Sequence, residues 1–363
     1  VFPGVAVITV KSAEDSSKKA TIKVLVQNDG KNYVNVNSAT RSLYTQYVVS
    51  AHPSTIIQGF DISKNYIFTV QNLYSTSTDM NTNSLFINKH PRPGVSGSDS
   101  NMSLYGFGHG TNIAFEWANS KYNDTSDAYM WLAGGHYTWN NDNSKFSFDV
   151  TRDGAFPTRL AYHDNSTYTS NSVSFDTRSS VSRNDIKLYN GKNYSTTALS
   201  SKYYNIYKFY KTRSNEQVAI DTTNNLFIIR VTGSSGQIFS IYKLTDIKNS
   251  SVDYIDGNIP KLATFTIPKT PLDFQGFDIA GDYVYVYYGE SNRNGTQNSQ
   301  GYVAMYDFLG NEKFNKKVYS TSTSIFEEPE GIKVYKESGK YVAYLGSSLV
   351  SGSQKYVKIC TFK

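Results

Sequence analysis

The sequence predicts an all-β chain folded as a five-bladed β-propeller with a short N-terminal β segment. Three observations predict it. Phe, Trp and Tyr make up 15 % of the chain, with 30 Tyr and 20 Phe, and such residues suit a pleated, half-buried surface. A short grammar recurs along the chain: an amide or carboxylate, an alternating strand, a tight polar turn and a second alternating strand. Further alternating strands follow where a four-stranded blade needs them.

The grammar is read at four places. Gln58-Gly-Phe-Asp-Ile62 precedes Asn65–Val70, and Glu216-Gln-Val-Ala-Ile220 precedes Asn225–Ile229. Gln275-Gly-Phe-Asp-Ile279 precedes Asp282–Val286, and Glu330-Gly-Ile-Lys-Val334 precedes Lys340–Tyr344. Strict alternation is the signal of a strand with one face buried, and the Gly, Asn and Lys turns fit hairpins. The third and fourth strands are read at Gly301–Asp307 and Lys313–Tyr319, and at Gln237–Tyr242 and Leu262–Ile267. Blades starting at 216, 275 and 330 are somewhat longer than the usual period of about 40–50 residues.

The interval from Ile62 to Glu216 is too long for one blade. Gly106–Trp117, Ala128–Leu132 and Lys145–Val150 supply the missing repeat, with a long excursion to about residue 205. The last blade has three strands of its own, and Tyr33–Val36 or Tyr44–Val49 offers the fourth. Closure from both chain ends removes open sheet edges. The chain divides into residues 1–48, a β segment with a hairpin at Val5–Val10 and Ala20–Val26, and residues 49–363, the propeller.

Composition narrows the function classes. A single cysteine, Cys360, excludes an internal disulfide and a cysteine-based zinc site. None of the five histidines pairs with another at zinc spacing, and no P-loop, dinucleotide fingerprint or nucleophile elbow occurs. No segment reaches the roughly 18 apolar residues of a membrane span. The net charge of +6 suits anionic partners or plain solubility. It is too dispersed for the basic stripe that nucleic acid requires, and Tyr203–Arg213 comes nearest to one. The chain starts at Val1 without Met, which reads as a mature product freed of an export signal.

The candidate site is the end of the channel where the innermost strands begin. Gln58, His109 or Glu116, Glu216, Gln275 and Glu330 stand there by blade order. They either converge on a ligand or tie neighbouring blades through backbone hydrogen bonds, because buried polar groups need partners in both cases. Asp61 and Asp278 share one position on the opposite face of their strands and either line the channel or cap a turn. A carboxylate ring there could hold Ca²⁺, although Ala219 and Lys333 fill the equivalent positions; neither a metal nor any other cofactor is expected. His109 and Glu116 could form an acid–base pair. Asp61, Glu116, Asp278 and Glu330 are the carboxylates from which a glycosidase pair would be drawn. Trp117 and Trp131 read as core. Trp139, in the polar run Thr138–Asp142, reads as an exposed stacking platform.

The chain resembles the helveticin J-like family of class III bacteriocins and surface proteins of lactic acid bacteria. The likeness rests on Gly108-His-Gly110, Phe115-Glu-Trp-Ala118, Phe156-Pro-Thr-Arg-Leu160 and Glu216–Ile220 with Ile238–Tyr242. It continues through Gln275–Ile279 and Glu327-Glu-Pro-Glu-Gly331, and covers roughly residues 55 to 363. The resemblance implies a secreted, cell-surface-associated protein with antimicrobial activity or a place in a surface layer. It implies no catalytic residues. The expected partner is a bacterial cell-envelope glycopolymer or a surface-layer protein, bound by carbohydrate recognition and by a monomer. The alternative is a glycan-active enzyme using carboxylates at the channel mouth.

Overall fold

The computed structural model describes residues 3–27, 33–34, 36, 41–48, 56–73, 84–105, 110–117, 128–134, 137–140, 145–148, 156–162, 167–170, 186–189, 194–198, 204–206, 209, 216–252, 255–292 and 297–362. Among these, strands dominate and Leu244–Lys248 is the one helix.

Five blades of four antiparallel strands each form the ring. Blade 1 comprises Ile57–Ile62, Tyr66–Leu73, Ser84–Pro91 and Ser100–Tyr105. Blade 2 comprises Ala114–Trp117, Ala128–Gly134, Phe156–Ala161 and Tyr204–Ile206. Blade 3 comprises Gln217–Asp221, Leu226–Gly233, Gly236–Lys243 and Ala263–Pro268. Blade 4 comprises Asp273–Ala280, Tyr283–Glu290, Gln300–Asp307 and Glu312–Ser320. Blade 5 comprises Phe326–Glu337, Lys340–Ser351 and Gln354–Phe362, and its outer strand is Ser42–Val48. That strand pairs antiparallel with the last strand of the chain, Val48 opposite Tyr356 and Ser42 opposite Thr361.

The two-residue period of each strand builds the ring. Val218 joins Trp131 and Phe227 between blades 2 and 3, while the adjacent Ala219 joins Phe277 and Val284 between blades 3 and 4. Tyr285 and Tyr287 pack with Ile332 and Val334 of blade 5, and Val284 and Val286 face the other way into blade 3. Phe68 and Leu85 meet Phe115 and Met130 across blades 1 and 2. Phe60 and Ile62 meet Tyr344 and Ile359 across blades 1 and 5. Five apolar clusters, one per junction, therefore follow from alternation alone.

The excursion departs from the sequence reading. Lys145–Phe148 folds back on Tyr137–Asn140 as a separate hairpin, and Phe156–Ala161 is the third strand of blade 2, Leu160 opposite Met130. Thr167–Ser170 runs parallel to Ser100–Tyr105, and Ile186–Tyr189 and Tyr194–Ala198 extend blade 1 to seven strands.

At the axis the innermost strands almost touch. A Cβ on Gly276 would lie 3.1 Å from the Cα of Gly331, and one on Gly59 would lie 3.1 Å from the carbonyl oxygen of Gly110. These glycines are what lets the blades close so tightly.

Candidate functional site: a polar cleft over a closed axis

A cleft of about 1370 Å³ opens across blades 3, 4, 5 and 1 at the end where the innermost strands begin. Of the residues expected at the channel mouth, Gln58, Gln275 and Glu330 line it. Gln58 donates to the carbonyl of Ile57 at 3.2 Å, and Ser348 Oγ donates to Glu330 Oε1 at 3.4 Å.

Other wall residues carried no signal in the repeat. Arg230, on the second strand of blade 3, is buried, donates from Nη1 to Gln217 Oε1 at 3.3 Å and lies 4.2 Å over the ring of Phe274. Such a stacked guanidinium is held in one plane. Tyr306 donates to Glu312 at 3.1 Å and Tyr288 donates to Asn315, which fixes both rings in the blade 4 wall. Three cations, Arg230, Lys269 and Lys355, and three acids, Asp273, Glu328 and Glu330, line the cleft. The cleft is thus charge-balanced although the whole chain is cationic, and the amides of Gln58, Asn72, Gln217, Gln237 and Gln275 share its polar lining with these six charged residues.

Asp61 and Asp278 do not face the cleft; they are buried beneath it. The Asp61 carboxylate accepts the N–H of Ile62 and, across the blade junction, that of Phe115, each at 2.6 Å, and Tyr335 donates its hydroxyl to it. Asp278 accepts the N–H of Val334 in the next blade at 2.7 Å. Both are therefore inter-blade ties. Burial pushes both carboxyls up, Asp278 to about 7, while Lys333 opposes the rise. Lys333 is 2 % exposed, and its ammonium has no hydrogen-bond partner among the described residues. The positive charge facing the two carboxylates is the ammonium of this lysine.

Asn112 has the same kind of role and was missed. Its Nδ2 donates to the carbonyl of Val218 at 2.6 Å and its Oδ1 accepts the N–H of Phe277 at 3.0 Å, joining three blades near the axis. Its φ of 61° is a conformation that Asn tolerates better than most residues.

Glu116 lies away from the cleft. It accepts from Trp131 Nε1 at 2.8 Å and from Arg159 Nε at 2.9 Å, and it is ion-paired with Lys248 of the blade 3 helix. Burial would raise its carboxyl, but Arg159 and Lys248 outweigh burial and hold it below the usual range. A carboxylate so committed is a blade tie rather than an acid–base partner. Glu216 is buried and its neighbour Gln217 takes the cleft position. His109 lies outside the described residues. Trp139 is opposite Phe146 in the small hairpin, and its side chain lies outside what the structure describes. Trp117 and Trp131 are both core.

No protein-family model matches the sequence, and no curated protein does. Among solved structures, the chain is similar to the tail fiber of Staphylococcus aureus phage P68, with a TM-score of 0.57 and 18 % identity. The alignment covers 90 % of this chain and 53 % of the tail fiber chain, so the chain spans about half the length of that protein. The likeness shows a shared β fold. The polysaccharide lyase Uly1 aligns over 91 % of this chain and 93 % of its own at a TM-score of 0.33 and 9 % identity.

Proposed function

We propose that this propeller is a non-catalytic recognition module for a bacterial cell-envelope glycopolymer, acting outside the cell as a helveticin J-like bacteriocin or surface-associated factor. The observation that carries the reading is the cleft. Its volume of about 1370 Å³ exceeds the roughly 300–1,000 Å³ of ordinary small-molecule pockets, which suits several linked sugars. Side-chain amides both donate and accept, so a wall of them matches a hydroxyl-rich ligand, and Phe274 and Tyr288 supply apolar rings beside them. The balanced charge disfavours a bare polyanion such as nucleic acid. The fold shared with a phage tail fiber, and the absence of any helix among the described residues long and apolar enough to cross a membrane, are compatible with this reading.

Titration of the protein against isolated wall polysaccharide, with soluble products assayed in parallel, tests it. Saturable binding that Arg230→Ala weakens at least tenfold, with no released sugar, is the expected result. Binding that is unaffected by Arg230→Ala or Gln275→Ala removes the cleft as the site. Released or shortened glycan favours the enzyme reading, for which Glu328 and Glu330, both in the cleft wall, are the carboxylates to replace.

A further inference from the structure

Gly4–Lys11 and Lys19–Val26 form a two-stranded ribbon outside the five blades, in register from Gly4 opposite Val26 to Lys11 opposite Lys19. It is fastened at its base, where Val5 donates its N–H to the carbonyl of Leu262 at 2.7 Å and Val5 and Leu25 pack on the core between blades 3 and 4. Beyond that base it stands in solvent.

Alternation sorts the ribbon into two unlike faces. One carries Ala6, Ile8, Val10, Ala20, Ile22 and Val24, with no polar side chain. The other carries Thr9, Thr21, Lys11, Lys19 and Lys23 beside Val7. The apolar face is open: Ile8 is 50 %, Val10 64 % and Ile22 62 % exposed. Beyond the Val5 bond to Leu262, the outer edge of each strand also pairs with no other strand among the described residues. An isolated two-stranded ribbon is marginal in water, and its edges are templates for further pairing. Three surfaces therefore want covering: one face and two edges.

The possible occupants differ in how many they cover. A lipid bilayer would cover the face but leave both edges' N–H and C=O groups unpaired in hydrocarbon, at several kcal/mol per group; the tip also carries the exposed Glu14. One added peptide strand covers a single edge and leaves the face open. Copies of the same ribbon around an axis cover all three. Each edge pairs with the neighbour's, the apolar faces turn inward and the lysines face water, leaving no edge.

We propose that this ribbon is a self-association element that joins copies of this chain into a closed cyclic oligomer. The monomer expected from sequence is then the dissociated form. Assembly sets several clefts side by side, so weak binding to a repeating polymer becomes multivalent.

Sedimentation analysis of the full chain over a dilution series tests the proposal, comparing wild type with Ile8→Lys/Ile22→Lys. Both positions are exposed in the single chain, so the propeller keeps its melting temperature. Val10→Thr/Ile22→Thr, which preserves strand propensity, gives the same readout should the lysine pair disturb folding. The expected result is a wild-type mass that is a multiple of the monomer and falls on dilution, with both variants monomeric throughout. A wild type that stays monomeric, or variants that assemble equally well, overturns it. So does a monomer that floats with phosphatidylglycerol vesicles, which reassigns the ribbon to a bilayer. The outcome is independent of glycan binding, which the cleft variants read separately.

Discussion

The Asp278 carboxylate accepts the backbone N–H of Val334 at 2.7 Å, so blade 4 is fastened to blade 5 by a side chain at the axis. Asp61 does the same between blades 1 and 2 through Phe115. The repeated Gln-Gly-Phe-Asp-Ile is thereby explained residue by residue. Gln faces the cleft, Gly permits close approach, Phe and Ile fill the blade junctions, and Asp ties to the next blade.

These ties predict an unusual pH dependence. Burial raises the Asp278 carboxyl to about 7 against the opposing Lys333, whereas in the unfolded chain it titrates near 3.9. Between those values the native state binds the extra proton. Its contribution to stability is therefore fully present below about pH 4, lost as pH rises to 7 and flat above that. Asp278→Asn should flatten this slope. The wild-type advantage over the variant, from urea midpoints, should grow on going from pH 7.5 to pH 4.5, by an amount on the order of 2–4 kcal/mol.

Lys333 faces both carboxylates from blade 5. Lys333→Met keeps much of the volume and removes the charge. At pH 8 it should destabilise by about 3 kcal/mol, as expected for removing one partner of a buried ionic cluster. The loss should shrink below pH 7, where Asp278 takes up its proton, and Asp278→Asn in the same chain should recover part of it. Chemical denaturation of the three variants at two pH values reads this directly.

Asn112 offers a test without charge. Asn112→Ala leaves the carbonyl of Val218 and the N–H of Phe277 without their partner, at about 1–3 kcal/mol for each group. Thermal melting of the variant against wild type reads the loss.

Much of this was legible in the sequence because a propeller repeats its physics. Alternation at Gln275–Ile279 and Tyr283–Val286 marks two faces buried against two neighbours, and the register bears that out. The excursion was not legible, because pairing between Thr167–Ser170 and Ser100–Tyr105 is set by tertiary contact and has no local signature. The cleft was half legible. Gln58, Gln275 and Glu330 stand at repeated positions. Arg230 and Phe274 reach it from places that the repeat does not mark, and Glu116 was drawn to it by blade order although Arg159 and Lys248 hold it elsewhere.

Closure of the ring gives another prediction. Arg92, just after the third strand of blade 1, donates to Tyr44 of the closing strand at 2.7 Å, to Tyr344 at 2.9 Å and to Glu337 at 3.2 Å. It binds blade 1, blade 5 and the closing strand Ser42–Val48 together. Arg92→Ala should cost about 2 kcal/mol or more, since hydrogen bonds to a charged group are worth roughly 1.5–3 kcal/mol each. Freeing Ser42–Val48 would expose the edge of Gln354–Phe362 to other chains. Light scattering during thermal unfolding should therefore rise earlier in the variant.

The sharpest contrast separates a cleft carboxylate from a structural one. Glu330→Gln changes a charge in the cleft wall while Ser348 keeps a partner of similar shape. It should leave the melting temperature within a few degrees of wild type and shift glycan affinity by about tenfold, near 1.4 kcal/mol. Glu116→Gln removes the charge that Arg159 and Lys248 pair with between blades 2 and 3. It should lower stability by about 3 kcal/mol and leave affinity unchanged wherever the protein is folded. Calorimetric titration of both variants at a temperature well below either transition keeps the two effects apart. Affinity lost in Glu116→Gln but not in Glu330→Gln would move the binding surface from the cleft to the junction of blades 2 and 3.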